Sequence, residues 1–201
     1  MGRTLLLVID KQRDFEDDAG ALTSGAAAQA TTPFVVRAME RALAAGHLVG
    51  CTLDTHQEGT PEFEVWGRAE FEQFGPHCVK YSWGWQLVDG VQQVVDRQRR
   101  EGRPVILIEK PTFDAFHGRI VDGPAGDIGL TLDAYVLRHG ITRLELVGLV
   151  TPICVNHTAQ AARRRGLEVA VYEAGVASFS PESHRQGLEE MRAAGCEIVP
   201  A

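Results

Sequence analysis

Apolar runs recur along the chain at intervals that leave room for one helix between each pair, and this alternation constrains the fold more than any other feature. The runs are TLLLVI (4–9), HLVGCTL (47–53), PVILIE (104–109), RLELVGL (143–149), EVAVYE (168–173) and the shorter CEIV (196–199). Segments with helical period lie between them, near 32–45, 87–101, 128–139, 154–166 and 182–194. Several close on a glycine just ahead of the next run, as in AAG, REG, RHG and RRG, where glycine takes the left-handed conformation of a helix C-cap at no steric cost. Strands alternating with helices imply right-handed crossovers and a parallel sheet covered on both faces. The expected fold is three-layer α/β/α with a central, mostly parallel six-stranded sheet, in a single domain over 1–201.

In such a sheet the ligand crevice lies beyond the carboxyl ends of the strands, so the residues just after each run carry the chemistry. The first run ends in Asp10, the second in Asp54 with His56 close behind, the third in Lys110, and the fourth leads into GLVTPICVNHTAQAA with Cys154. One carboxylate, one ammonium and one thiol converge on one edge. A cysteine where a strand gives way to a helix has two readings. It is a small hydrophobe suited to packing, or its thiolate is stabilised by the helix N-terminus, with a nearby base to take its proton.

The alternation breaks at about 55–86, THQEGTPEFEVWGRAEFEQFGPHCVKYSWGWQ, which holds all three tryptophans of the chain. A long aromatic insertion of this kind is expected to wall a site. Asp54 and His56 form D-x-H, and His77 lies at the end of the insertion; two imidazoles and a carboxylate suit Zn²⁺, Fe²⁺ or Mn²⁺. An Ala/Gly-rich stretch at 19–30 reads as a loop.

Other classes are disfavoured. Twenty Lys and Arg against 27 Asp and Glu give a formal charge of −7, with short arginine runs only on expected helices, so no nucleic-acid footprint is present. The N-terminal apolar run is too short for a signal peptide, and no stretch approaches membrane-spanning length, so no membrane partner and a cytoplasmic location are expected. Four cysteines, 51, 78, 154 and 196, show no CxxC pair and are expected as reduced thiols.

The motifs LLLVIDKQRDF, LIEKPTFDAF and GLVTPICVNHTAQAA, in this order, resemble those of the isochorismatase-like cysteine hydrolases, and within them the nicotinamidase branch. The resemblance implies an Asp10, Lys110, Cys154 triad, a non-proline cis peptide at Leu149-Val150, and an oxyanion hole from the Val150 and Cys154 N–H groups. It also implies a divalent transition metal on Asp54, His56, His77 and a glutamate, with zinc first and Fe²⁺ or Mn²⁺ as alternatives. Glu70, seven residues before His77, is that glutamate, with Glu62 and Glu64 as rivals. Phe15 and Phe74 fall where the family places aromatic groups around a flat ring, and KYSWGW (80–85) departs from the family pattern, bringing Tyr81 into the expected pocket.

The activity so implied is hydrolysis of nicotinamide to nicotinate and ammonia through a cysteine thioester, in a homo-oligomer, a dimer or tetramer. The alternatives are another small-amide cysteine hydrolase, of ureidoacrylate, maleamate or N-carbamoyl type, or a non-catalytic small-molecule-binding protein on the same fold. Cys51 and Cys196 are expected in strand cores, Cys78 beside the pocket, and His157 on the exposed face of its helix with no catalytic role.

Overall fold

A computed structural model describes residues 2–200. Seven strands, β1 (Arg3–Ile9), β2 (Leu48–Asp54), β3 (Ile106–Lys110), β4 (Arg119–Asp122), β5 (Ile141–Leu149), β6 (Glu168–Ala177) and β7 (Glu197–Val199), form one sheet. Its order is β4-β3-β2-β1-β5-β6-β7, parallel except for β4. The α-helices are α1 (Arg13–Glu16), α2 (Gly25–Ala44), α3 (Arg68–Phe74), α4 (Asp89–Arg100), α5 (Leu132–His139), α6 (Asn156–Arg164) and α7 (Pro181–Ala193).

Alternation of side chains along β1 builds both cores at once, since successive residues of a strand face opposite ways. Leu5, Leu7 and Ile9 pack with Leu132 and Tyr135 of α5, Ala159 of α6, and Leu188 and Met191 of α7. Leu6 and Val8 pack with Val35 and Met39 of α2 and Val91, Val94 and Val95 of α4. Because β1 is central and apolar on both faces, its C-terminal tip is held rigidly from both sides.

The seventh strand is β4, four residues of alternating exposure that pair antiparallel with β3 at the sheet edge. It occupies chain read as connection, and α5 accordingly starts at Leu132 rather than near 128. The 19–30 stretch is a loop only in its first part. From Gly25 it is helix, because Ala26, Ala27, Ala28 and Ala30 are strong helix formers, and α2 continues through Pro33.

The approach of β5 to β1 is closest at Gly148, where φ is +120° and a Cβ would stand 2.0 Å from the Ile9 carbonyl oxygen. Gly148→Ala is expected to destabilise the fold by about 2–5 kcal/mol, combining backbone strain with overpacking. An unchanged denaturation midpoint would contradict this close approach. Among the described residues, no helix is long and apolar enough to cross a membrane.

Candidate active site

The register of the parallel strands brings the tips together. Asp54 and Lys110 are paired positions on β2 and β3, Asp10 follows β1, and Cys154 lies in a π-helical turn, Thr151–Val155, that joins β5 to α6. Lys110 is the node. Its fully buried Nζ lies 2.8 Å from Asp10 Oδ2, 3.1 Å from Asp54 Oδ1 and 3.6 Å from Cys154 Sγ, and donates to the Thr112 carbonyl at 3.0 Å.

Asp10 has a positive φ of 46° and is steadied by Thr52. The Thr52 hydroxyl donates to Asp10 Oδ1 at 2.6 Å and accepts from the Asp10 N–H at 3.0 Å. Asp10 Oδ2 and the Cys154 sulfur flank the same ammonium, at 2.8 and 3.6 Å from Lys110 Nζ. Burial raises the pKa of Asp10 above the ordinary carboxylate range, although Lys110 opposes the rise. Burial likewise pushes the Cys154 thiol up, with Lys110 again in opposition. Of the two readings of this cysteine, the stabilised thiolate is not the favoured resting form, because desolvation outweighs the ammonium. For Lys110, burial favours the neutral amine, but Asp10 and Asp54 together outweigh it and hold the amine protonated.

The second constellation adjoins the first through Asp54. His56 Nε2 is 3.2 Å and His77 Nε2 3.4 Å from Asp54 Oδ2, and His56 Nε2 is 3.6 Å from Glu70 Oε2. One donor atom from each of Asp54, His56, Glu70 and His77 lies within 4.8 Å of every other, and all four residues are buried. This donor set fits a borderline divalent metal. Glu70 Oε2 has no hydrogen-bond partner, and the Glu70 carboxyl is raised by burial and by repulsion from Asp54, which a cation would relieve. His77 Nδ1 lies 2.8 Å from the Gly75 carbonyl, which can only accept, so Nδ1 carries a proton and Nε2 is the atom turned to the cluster. Glu62 and Glu64 are exposed, and Glu64 pairs with Arg68, so neither rival belongs to the cluster.

Local sequence explains the placement. The π-helical turn Phe63–Gly67 leads into α3, on which Glu70 faces His56. Gly67 permits the approach, because a Cβ there would stand 2.9 Å from His56 Nδ1. His77 is packed among Phe15, Phe71 and Phe74, with centroids 5.7, 5.7 and 6.3 Å away. The following Cys78 N–H donates to Asp14 Oδ2 at 2.7 Å.

A narrow cleft connects the two constellations. Asp54 and His77 contribute at one end and Cys154 and Val150 at the other, while Phe15, Phe74, Phe113 and Phe179 form its walls. The Leu149-Val150 peptide is cis. Tyr81 is a correction. It does not line the cleft but is 76% exposed, with φ 69° in the turn from Val79 to Ser82 and its ring against Trp85. Phe113 and Phe179 were not anticipated, although each follows soon after a strand tip, where the same rule that flagged Asp10 applies. Thr52 and Gln12 were missed as well. Gln12 donates to the Asp54 and Trp85 carbonyls, both at 2.9 Å, and accepts from the Asp54 N–H at 2.8 Å. Cys51 and Cys196 are buried in the cores and His157 is exposed.

Residues 4–201 match the family described as the Isochorismatase domain. The chain is 28% identical over 207 residues to the nicotinamidase/pyrazinamidase of Mycobacterium tuberculosis, covering 96% of this chain and 97% of the relative. It is also 28% identical over 195 residues to a probable inactive nicotinamidase of Arabidopsis thaliana, covering 96% and 89%. The crystal structure of a pyrazinamidase/nicotinamidase from Streptococcus mutans superposes with a TM-score of 0.83 at 28% identity, over 98% of this chain and 99% of that one. That of the Pyrococcus horikoshii pyrazinamidase in complex with zinc gives 0.72 at 25% identity, over 99% of each chain. With the family match running along almost its whole length and the fold shared with these enzymes, the chain belongs to the isochorismatase family of hydrolases.

Proposed function

We propose that this protein is a cysteine-dependent amidohydrolase that converts nicotinamide to nicotinate and ammonia. The observation that carries the reading is the single ammonium of Lys110, which touches the Asp10 carboxylate, the Cys154 thiol and Asp54 of the four-ligand cluster. Nucleophile, base and ligand set thereby meet at one buried point beside one aromatic cleft.

Asp10 accepts the thiol proton, and Cys154 Sγ attacks the carboxamide carbon. The developing oxyanion is received by the N–H groups of Val150 and Cys154. Asp10 returns the proton to the leaving nitrogen, the C–N bond breaks, and ammonia departs from a thioester. Asp10 then takes a proton from water as its oxygen attacks the thioester carbon, and nicotinate leaves as the thiol is restored. Lys110 favours the ionised form of Asp10 throughout.

Asp54, His56, Glu70 and His77 would hold a divalent transition ion, zinc first, which when bound supplies a Lewis-acid anchor for the ring nitrogen. The cleft walls are phenylalanine faces suited to a flat neutral ring. Ureidoacrylate and maleamate carry a carboxylate, and the nearest ammonium, Lys110, is already neutralised by two buried aspartates. This favours nicotinamide over those amides.

The test is ammonia release from a panel of small amides, with and without chelator, beside elemental analysis of the parent protein and of His56→Ala. The parent is expected to carry a stoichiometric transition metal and His56→Ala to lose it, with nicotinamide turnover falling at least about 10-fold on chelation. A metal-free parent whose nicotinamide turnover ignores chelator would replace this reading with a metal-independent amidase. Release from no amide at all would leave the non-catalytic binding protein.

A further inference from the structure

Helix α7 contributes no residue to the mechanism above, yet three positions along one of its stripes grip the turn that carries the nucleophile. Thr151 opens that turn, directly after Val150, and is fully buried. Its hydroxyl donates to the Ala177 carbonyl at 2.9 Å and lies 2.9 Å from His184 Nδ1. A hydroxyl has one proton, and a carbonyl oxygen can only accept, so the second bond must be donated by His184 from Nδ1. Three residues further on, a Cβ on Gly187 would stand 2.8 Å from Pro152 Cα and 3.0 Å from the Thr151 carbonyl carbon, so the helix lies directly against the turn backbone. Three residues beyond that, Glu190 Oε2 accepts from Asn156 Nδ2 at 2.7 Å, just past the turn. Residues spaced by three share a helix face. The start of α7 is itself fixed: Ser180 and Ser183 form a capping box, and Ser178 Oγ lies 2.8 Å from Ser183 Oγ.

We propose that α7 is a splint for the nucleophile turn and that His184 is a positioning residue, which through Thr151 sets where the Val150 and Cys154 N–H groups and Sγ stand relative to the substrate carbonyl. The proposal rests on the reading of Cys154 as nucleophile. Thr151 and Asn156 tether the turn on either side of Cys154, one to β6 and α7 together, the other to α7. Between the tethers Gly187 leaves no slack. Losing the His184 donor frees the first tether to pivot about the Ala177 bond. The displacement falls on groups that act on the tetrahedral state, so kcat should drop while KM stays nearly constant. Both the neutral Nδ1–H tautomer and the imidazolium donate to Thr151, so no pH switch is implied.

The experiment compares the parent, His184→Ala, His184→Asn and Thr151→Val. It reads kcat and KM on the amide the parent turns over, the melting temperature, and backbone hydrogen exchange over residues 149–156. In His184→Ala, kcat should fall roughly 10- to 100-fold, the scale of a sub-ångström to 1 Å misplacement, and exchange over 149–156 should quicken. His184→Asn places an amide donor near the lost Nδ1 and should recover most of both. Thr151→Val, which removes the hydroxyl at almost constant volume, should reproduce the alanine effect, and stands in for it if His184→Ala fails to fold. Unaltered exchange over 149–156 in the alanine and valine variants overturns the proposal, as does a kcat that follows melting temperature alone with no recovery by asparagine. A parent that hydrolyses no amide removes the nucleophile reading instead, and the exchange comparison still decides whether α7 holds the turn.

Discussion

Replacing Cys154 with alanine is expected to abolish ammonia release, by on the order of 10⁴–10⁶ in kcat, since no other group can form the acyl intermediate. The fold should survive. The side chain is buried against the apolar residues of one core, and deleting a single sulfur there costs on the order of 1 kcal/mol. The same residue should be the first of the four cysteines to react with iodoacetamide. All four are buried, and burial pushes every thiol up, to about 12 for Cys51 and about 11 for Cys196. Only Cys154 has an ammonium, Lys110, against its sulfur with a carboxylate, Asp10, on that same ammonium, and it lines the cleft. Cys78 is pushed well above the ordinary thiol range by burial and by three aspartates. Turnover that persists in the alanine variant, or labelling of Cys78 as fast as of Cys154, would remove Cys154 from the mechanism.

The second large effect is expected at Lys110. Lys110→Met keeps a long apolar side chain and deletes the charge, leaving Asp10 and Asp54 buried without their shared cation. Breaking a buried pair in this way costs about 3–5 kcal/mol, so the melting temperature should fall clearly. Turnover should fall as well, by roughly 10²–10⁴, the usual worth of acid–base catalysis. The pH dependence has a definite sign. Asp10 must be ionised to accept the thiol proton, so activity rises as pH climbs through its raised pKa. Burial causes that rise and Lys110 opposes it. Without Lys110 the opposition is gone, the pKa climbs further, and the acid limb of kcat/KM moves to higher pH. Thiol alkylation should shift the same way, because Lys110 also lowers the Cys154 pKa. An acid limb that stays in place would show that Lys110 does not act on Asp10.

Much of this arrangement was legible in the sequence because the strand tips obey a simple rule: an apolar run, then the first polar side chain, on the edge where a parallel sheet opens. Asp10 and Asp54 follow it directly, Lys110 comes one residue after Glu109, and Cys154 lies three residues past Thr151 in the turn after β5. The ligand glutamate was open between Glu62, Glu64 and Glu70 until the helical turns of the insertion set which of them faces His56. Strand β4 escaped notice because four alternating residues carry little pattern, and its antiparallel pairing with β3 is decided by contact rather than composition. Tyr81 was misplaced for a similar reason, since a positive φ in a short turn aims its ring away from the cleft. The favoured protonation of Cys154 was left open because burial, which no local motif records, outweighs the neighbouring ammonium.

The insertion and the strand tips divide the site in a way that bears on how such a protein can change. Asp10, Lys110 and Cys154 are seated on β1, β3 and the turn after β5, inside the rigid frame of the sheet. His56, Glu70, His77 and Phe74 all come from one continuous excursion between β2 and α4. A single local exchange of that excursion therefore removes three of the four candidate ligands and one cleft wall, while Cys154, Asp10 and Lys110 keep their scaffold. Bond-breaking capacity and substrate recognition can then be inherited separately, and a loop graft between relatives becomes a direct route to a new amide specificity.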